Sequence, residues 1–229
     1  DQGANPHTFD WWGRTPLYIA IDVRTNEGRG QSLDVIDQAT ALELAQRLLD
    51  MGVYVDPVLN FGRPGQGGGN GRFSDEHLST NATPLLRAAV SHDAEAIRLL
   101  LRYGAEVDKA NIFGATPLLV AAGLATPRGV LSDGTFYKAP NIEDRVIETL
   151  GLLLDAGADI NARITDTTSY TAFIPRHNSM TDRQGQTAIF GPGKWNWKKV
   201  AQYLIENGAE VKVTDFYGKT PADSALGQA

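Results

Sequence analysis

A short sequence pattern recurs along this chain, and the repetition limits the possible folds more than any other feature. The pattern is a turn followed by a helix start, and it begins at residues 10, 79, 111, 182 and 215. Its threonines are Thr15, Thr83, Thr116, Thr187 and Thr220. A second pattern ends each unit with two apolar residues, two variable residues and a glycine. These glycines are Gly52, Gly104, Gly157 and Gly208, and Gly3 lies in a truncated copy. Such self-similarity predicts a repeat architecture, in which each unit is one supersecondary element.

The residues around each threonine predict a pair of helices. Proline follows four of the five threonines, and its fixed φ and missing N–H suit the first turn of a helix. Apolar residues then recur at helical spacing, with a polar break at 91–93 in the unit that begins at residue 79. The glycine suits the left-handed position after a second helix. Because one helix pair cannot bury its own apolar face, neighbouring pairs must stack.

These patterns resemble the ankyrin repeat, whose motifs are D-x-x-G-x-T-P-L-x-x-A and L-L-x-x-G-A-x-x-N. The resemblance implies an all-α repeat solenoid of helix-turn-helix units, with β-hairpin fingers between successive units. It implies about four units, plus a truncated first unit and a capping last half-unit. The histidine that usually follows Thr-Pro-Leu is replaced by another residue, and Ala188 stands where proline is expected. The replacements are Tyr18, Leu86, Leu119 and Phe190.

We expect a single domain over residues 1–229, in which alternate repeats are enlarged. The units are a partial closing turn (1–9), an enlarged repeat (10–78), a repeat (79–110), an enlarged repeat (111–181), a repeat (182–214) and a C-terminal cap (215–229). Thr15 to Thr83 spans 68 residues and Thr116 to Thr187 spans 71, against 33 for each of the other two intervals. The extra residues fall at 24–34 and 124–141 between paired helices, and at 57–80 and 163–181 in the fingers. Long loops on a rigid scaffold are typical of binding regions, although solenoid loops also tolerate insertions at little entropic cost.

Composition and motifs argue against several classes of function. The net charge is −6, with 21 Lys and Arg against 27 Asp and Glu. The chain has no run of basic residues that could neutralise successive phosphates, so we expect no nucleic-acid binding. The longest apolar run has eight residues, Leu118 to Ala125, so we expect no membrane insertion. The glycine-rich segment 62–71 lacks the Gly-Lys-Ser/Thr of a phosphate loop, and the four histidines lack metal-ligand spacing. With no cysteine and no catalytic motif, we expect no enzyme activity, no cofactor and no metal.

The residues most suited to contact a partner stand in the variable places before the finger glycines. Exposed aromatic residues on rigid tips bury a large area at small entropic cost. Arg183 holds the same kind of place, and Tyr18 replaces the usual histidine of the motif. The predicted partner-binding residues are therefore Trp11, Trp12, Tyr18, Phe113, Arg183, Phe216 and Tyr217. The alternative is that some of the aromatic residues pack between adjacent fingers, and we expect a core role for Trp195 and Trp197.

The leading hypothesis is a non-catalytic scaffold that binds a protein through the fingers, the inner helices and the paired insertions. One alternative is a permanent structural subunit of a larger envelope assembly, and another is a small-ligand-binding or enzymatic protein. The swollen alternate repeats also resemble a group of exported bacterial ankyrin proteins, which implies a periplasmic or secreted location. Starting within a closing turn would expose the apolar face of the next helix pair, so we expect further repeats upstream.

Overall fold

The computed structural model describes residues 3–24, 35–60, 80–124, 140–165 and 183–226. These ranges contain helices and no strand. The α-helices are α1 (Pro16–Arg24), α2 (Val35–Asp50), α3 (Pro84–Val90), α4 (Ala94–Arg102), α5 (Pro117–Leu119), α6 (Ile142–Asp155), α7 (Phe190–Trp195), α8 (Lys198–Glu206) and α9 (Pro221–Leu226). Helix α5 continues into a π-helical turn, Val120–Leu124, which is kinked at Gly123, whose φ of 95° is not helical. Most residues of the four predicted insertions, and the whole glycine-rich segment 62–71, lie outside the described ranges.

Four of the predicted helix starts are confirmed by their capping hydrogen bonds. The hydroxyl oxygens of Thr15, Thr83, Thr116 and Thr220 accept the N–H of the residue three positions later, at 3.2, 3.1, 3.3 and 3.2 Å. Proline occupies the first turn after Thr83 and Thr116. The side chain thus satisfies an N–H that the helix cannot, and proline has none to lose there.

The fourth unit begins its inner helix later than the others. Helix α7 starts at Phe190, three residues after Thr187. Ala188 stands where the other units carry proline, so φ is not fixed at that point. The N–H of Phe190 instead donates to the oxygen of Thr187 at 3.0 Å, and the N–H of Gly191 donates to the oxygen of Ala188 at 3.1 Å. These tight bonds between residues three apart form a turn that delays the helix.

The helices form two layers. Helices α1, α3, α5, α7 and α9 pack in sequence as an inner row, and α4, α6 and α8 pack as an outer row against them. Helix α2 pairs with α1 and is joined to the end of α4 by the Tyr103 hydroxyl, which bonds to Gln46 and Asp50. The core lies between the two rows and is continuous along the array. Each helix pair therefore completes the core of its neighbour.

A glycine in the left-handed region follows each outer helix, as predicted. Gly52, Gly104, Gly157 and Gly208 have φ angles between 78° and 95°. No atom lies within 4 Å of the place where a Cβ would stand on any of the four. The requirement for glycine here is therefore the backbone conformation and not a lack of space.

A ladder of hydrogen bonds runs along the edge that these closing turns form. The fourth residue after a closing glycine accepts, through its side chain, the N–H of the second residue after the next closing glycine. The ladder consists of Asp56 accepting from Glu106, Asp108 from Asp159 and Asn161 from Glu210, at 3.0, 3.0 and 2.9 Å. Lys212 holds the same place in the last unit, and its side chain cannot accept such a bond, because an ammonium group only donates hydrogen bonds. The motif residue Asp or Asn thus has a structural role between repeats.

The two tryptophans of the fourth unit have the predicted packing role. Trp197 is buried, and its ring stacks on that of Trp195 with 5.9 Å between centroids. The indole N–H of Trp195 donates to the oxygen of Gly123 at 2.9 Å. Asn196 ends α7 with φ 58°, and Trp197 takes the capping position of α8. Only Asn196 and Trp197 separate the two helices, and asparagine tolerates the left-handed conformation that this short link adopts.

Candidate partner-binding surface

The finger turns are built in the same way in three units. Asp10, Asn111 and Asp215 each accept two backbone N–H groups through Oδ1, from the residues two and four positions later. All six distances are 2.9 or 3.0 Å. These side chains mimic a backbone turn and fix it. The two variable residues of each finger are therefore held in one conformation before any partner arrives.

Backbone hydrogen bonds join successive fingers into a row. An N–H of one finger or of its flanking segment donates to a carbonyl oxygen of the preceding one. The bonds run from Asn60 to Trp12, from Ile112 to Thr80, from Thr165 to Phe113 and from Phe216 to Gln184, at 2.9, 3.0, 3.3 and 2.8 Å. Each contact supplies too few consecutive bonds for a sheet ladder, so the expected β-hairpins are not present as strands in the described ranges.

Two features together require glycine at position 114, namely its backbone conformation and the close approach of the next finger. Gly114 has φ 75°, and a Cβ on it would lie 2.8 Å from the backbone nitrogen of Thr165. A side chain there would be strained by its conformation and would also separate the two fingers. The glycine of the motif therefore keeps the row continuous.

Three of the predicted contact residues are exposed at the two ends of this row. The exposed fractions are 79% for Trp11, 70% for Phe216 and 51% for Tyr217. Phe216 and Tyr217 pack edge to face, with 5.4 Å between ring centroids. Trp12 is half-buried, and the Arg14 guanidinium lies 5.2 Å from its ring centroid. Large apolar side chains held on rigid turns are suited to binding another protein.

The other three predicted contact residues are buried. Phe113 is buried, and the backbone N–H of Thr165 donates to its carbonyl oxygen. Tyr18 packs in the core between the helix layers. Arg183 is turned back toward the preceding unit, where its guanidinium donates to the oxygen of Leu124. A place in the motif therefore does not determine exposure, because packing in the assembled array decides it.

The middle of the inner layer offers no accessible surface. Every residue of α3 is buried, and so is every residue from 117 to 124. The inner-helix contacts that the sequence suggested are thus unavailable in these two units. The three most exposed large apolar side chains of the described residues are instead Trp11 and Phe9, at and beside the first finger, and Phe216 in the last finger.

An ionic network, which the motifs did not predict, joins the first two units, and its Asp22–Arg87 pair is buried. Asp22 in α1 accepts a hydrogen bond from Arg87 in α3, and Arg24 pairs with Asp93 and Glu95 at the start of α4. Desolvation opposes charge on Arg24, but its carboxylate partners raise its pKa overall. These charged groups form ion pairs with one another, which is typical of a structural network. Arg87 was the available signal, because it is a charged residue within an otherwise apolar helix.

His92 lies beside this network in the turn between α3 and α4. It is buried and adopts φ 51°. Burial, together with the nearby Arg145 charge, lowers its pKa to about 3. The imidazole is therefore neutral at physiological pH. Within the described ranges, no group of three or more His, Asp or Glu residues is placed to hold a metal ion.

None of the helices in the described part of the chain is long and apolar enough to cross a bilayer.

The comparison with protein families matches one segment, residues 80–112, to the model of the ankyrin repeat. This segment contains α3, α4, the second closing glycine and the start of the next finger. The match supports an ankyrin repeat at residues 80–112, and helical units stack on both sides of it.

Proposed function

We propose that this chain is a non-catalytic scaffold that binds a protein partner through its exposed finger tips. Ankyrin repeats generally mediate protein–protein interactions, and the family is typically non-enzymatic. The observation that carries the proposal is the exposure of Phe216 and Tyr217 on a turn already fixed by Asp215. Because the backbone is ordered beforehand, binding need not order it again.

The last finger is the strongest candidate for the contact. Its backbone is tied to the preceding finger by the bond from Phe216 to Gln184 and closed by the bond from Gly218 to Asp215. The two rings then project together as one apolar surface, with Lys219 exposed beside them. This arrangement favours a partner that offers an apolar pocket bordered by polar or acidic groups.

The first finger supplies a second contact at the opposite end of the row. Trp11 is the most exposed of the large apolar residues in the described ranges. Its neighbour Trp12 is held beneath Arg14, which also pairs with Asp10 at 2.6 Å. The proposal is that a large partner spans both ends, or that each end binds a separate site on it.

Several further parts of the proposal rest on sequence patterns. The paired insertions are proposed to contribute to the contact, and their position on the scaffold supports this. The unit boundaries at 10, 79, 111, 182 and 215 are proposed from the repeated threonines. The acidic net charge supports a protein partner over nucleic acid. The resemblance to exported bacterial ankyrin proteins supports a periplasmic or secreted location.

The array is also proposed to continue before α1. The support is the sequence around Gly3, which resembles a truncated copy of the closing pattern. The φ of Gly3 is 76°, in the left-handed region that the closing glycines and the finger glycines share, so its conformation agrees with this assignment without distinguishing it from a finger turn.

Site-specific photo-crosslinking tests the binding surface. A photoreactive phenylalanine derivative would replace Phe216 in one sample and Met51 in a matched sample, since Met51 is also exposed but lies after an outer helix. We expect a discrete protein adduct from position 216 in an extract of the native host, and none from position 51. Adducts of the same protein from both positions, or from neither, would refute finger-tip binding.

The affinity of the purified partner then tests the two rings directly. We expect the double substitution F216A and Y217A to weaken binding more than tenfold, since aromatic anchors at an interface are each worth about 1–2 kcal/mol or more. M51A is the matched control and should leave affinity unchanged. A partner that never dissociates from the native complex would instead favour a permanent structural subunit.

A further inference from the structure

One position of the inner helices contacts the preceding unit in three successive repeats. It is the fourth residue after the motif threonine. In α3 this residue is Arg87, which bonds to Asp22 of the preceding unit. In the next two units it is Val120, which is fully buried, and Gly191, which packs against the backbone oxygen of Ala122.

The same position in the first unit is uncovered. It is occupied by Ile19, which is 38% exposed. Val23 lies one turn later on the same face of α1 and is exposed to the same extent. Its equivalent in the third unit, Leu124, is buried. Its equivalent in the fourth unit, Trp195, bonds to Gly123 of the unit before it.

The outer helices show the same contrast. The eighth residue before the closing glycine is fully buried in three units, where it is Ala96, Thr149 or Val200. The N–H of Val200 faces the preceding outer helix, because it lies 3.4 Å from a carboxylate oxygen of Glu143. The corresponding residue of α2 is Leu44, and it is 48% exposed.

The backbone of the first finger shows the same contrast with the later units. Ile112 and Phe216 hold the first variable place of their fingers, and each donates its N–H to the finger before it. Trp11 holds that place in the first finger, and no finger precedes it within the described ranges. Inner helix, outer helix and finger thus all present the surface that covers a preceding repeat elsewhere in the array.

We propose that Ile19, Val23 and Leu44 form a stacking face whose occupant is the helix pair of a further ankyrin repeat. The inference rests on the proposal that the array continues before α1, and it is independent of the partner that the finger tips bind. Three interfaces inside the chain use the equivalent positions, so the occupant has the same chemistry. It presents the downstream side of an inner and an outer helix, together with a finger carbonyl that accepts the N–H of Trp11. Covering three aliphatic side chains removes apolar area from water, which favours the contact.

An extended chain tests this face. Residues 79–101 placed directly before Asp1 would form a repeat in register, because Gly3 follows Asp1 at the same distance as Gly104 follows Arg102. We expect the extended chain to gain helical signal and to unfold at a higher urea concentration than the original. We also expect L44D and I19D to lower the urea midpoint at least twice as much in the extended chain as in the original. I205D is the matched control, because Ile205 is exposed on α8 in the last described pair and should have the same effect in both chains.

Three other results would contradict the proposal. An equal effect of L44D in both chains would overturn the stacking face. If the first extension gains no helix, a second one built from residues 182–205 repeats the test, and failure of both overturns the proposal. If the original chain self-associates in sedimentation and L44D abolishes this, the occupant is a second copy and not a further repeat. Finger-tip crosslinking is read from position 216, so failure of either proposal leaves the other intact.

Discussion

Arg87 of α3 donates a hydrogen bond from Nε to Oδ1 of Asp22 in α1 at 2.7 Å, and both side chains are buried. The pair joins the first two units at a position where the later interfaces use Val120 and Gly191. A buried charge pair adds little net stability over apolar packing, but each charge depends strongly on its partner. The first interface is therefore more sensitive to single substitutions than the later ones.

The substitution D22A should destabilise the fold by about 3–5 kcal/mol, because it leaves the Arg87 guanidinium buried without this carboxylate. Urea unfolding followed by circular dichroism would measure the change. The control is E148A, which breaks the exposed pair between Glu148 and Arg98 and should cost about 0–1 kcal/mol. Similar losses for the two variants would contradict the buried character of the first pair.

Two glycine substitutions separate backbone strain from crowding. Gly157 has φ 93° with open space around it, so G157A should cost only the conformational strain, about 1–2 kcal/mol. G114A should cost distinctly more, because its Cβ would also press on the backbone nitrogen of Thr165. Comparison of the two urea midpoints gives the result. A smaller loss for G114A would mean that adjacent fingers do not approach as closely as described.

His92 should make stability depend on pH in a defined window. Its pKa is about 3 in the folded protein and near 6.5 in the unfolded chain, so below pH 6.5 the unfolded state binds more protons. Stability contributed by the neutral imidazole is present above pH 6.5 and is lost as the pH falls toward 3. The loss is at most about 1.4 kcal/mol for each pH unit, or about 2 kcal/mol between pH 6.5 and 5.

The variant H92N should lack this part of the pH dependence, and asparagine tolerates the left-handed backbone at this position. The measurement is the free energy of unfolding at pH 7 and pH 5 for both proteins. The natural chain should lose more stability than H92N over this interval. H7N, at an exposed histidine, serves as the control and should follow the natural chain.

Asn111 tests the finger turn. N111A removes the oxygen that accepts the N–H groups of Phe113 and Ala115, and it should cost about 2 kcal/mol because these groups are buried. N111D should be much milder, since Asp10 and Asp215 form the same turn in other units. Thermal unfolding of the three proteins would rank them, and an N111D as unstable as N111A would show that the shared oxygen is not the stabilising group.

Local chemistry explains which structural features could be predicted from the sequence alone. Thr83 followed by Pro84 starts a helix, because the hydroxyl and the fixed φ act within a few residues of each other. Gly104 ends a helix pair because its φ is positive, a preference that belongs to glycine itself. The repetition of these signals along the chain was enough to predict a stacked helical array.

Only the tertiary structure decided which of the candidate contact residues are accessible. Phe113 and Tyr217 hold the same place in their fingers, yet Phe113 is buried, with Thr165 bonded to its carbonyl oxygen, while half of Tyr217 is exposed. Burial depends on how the units pack together, so it cannot be predicted from the residue's own motif. The bond from Arg87 to Asp22 has the same origin, since it joins residues 65 positions apart that meet only when the repeats stack.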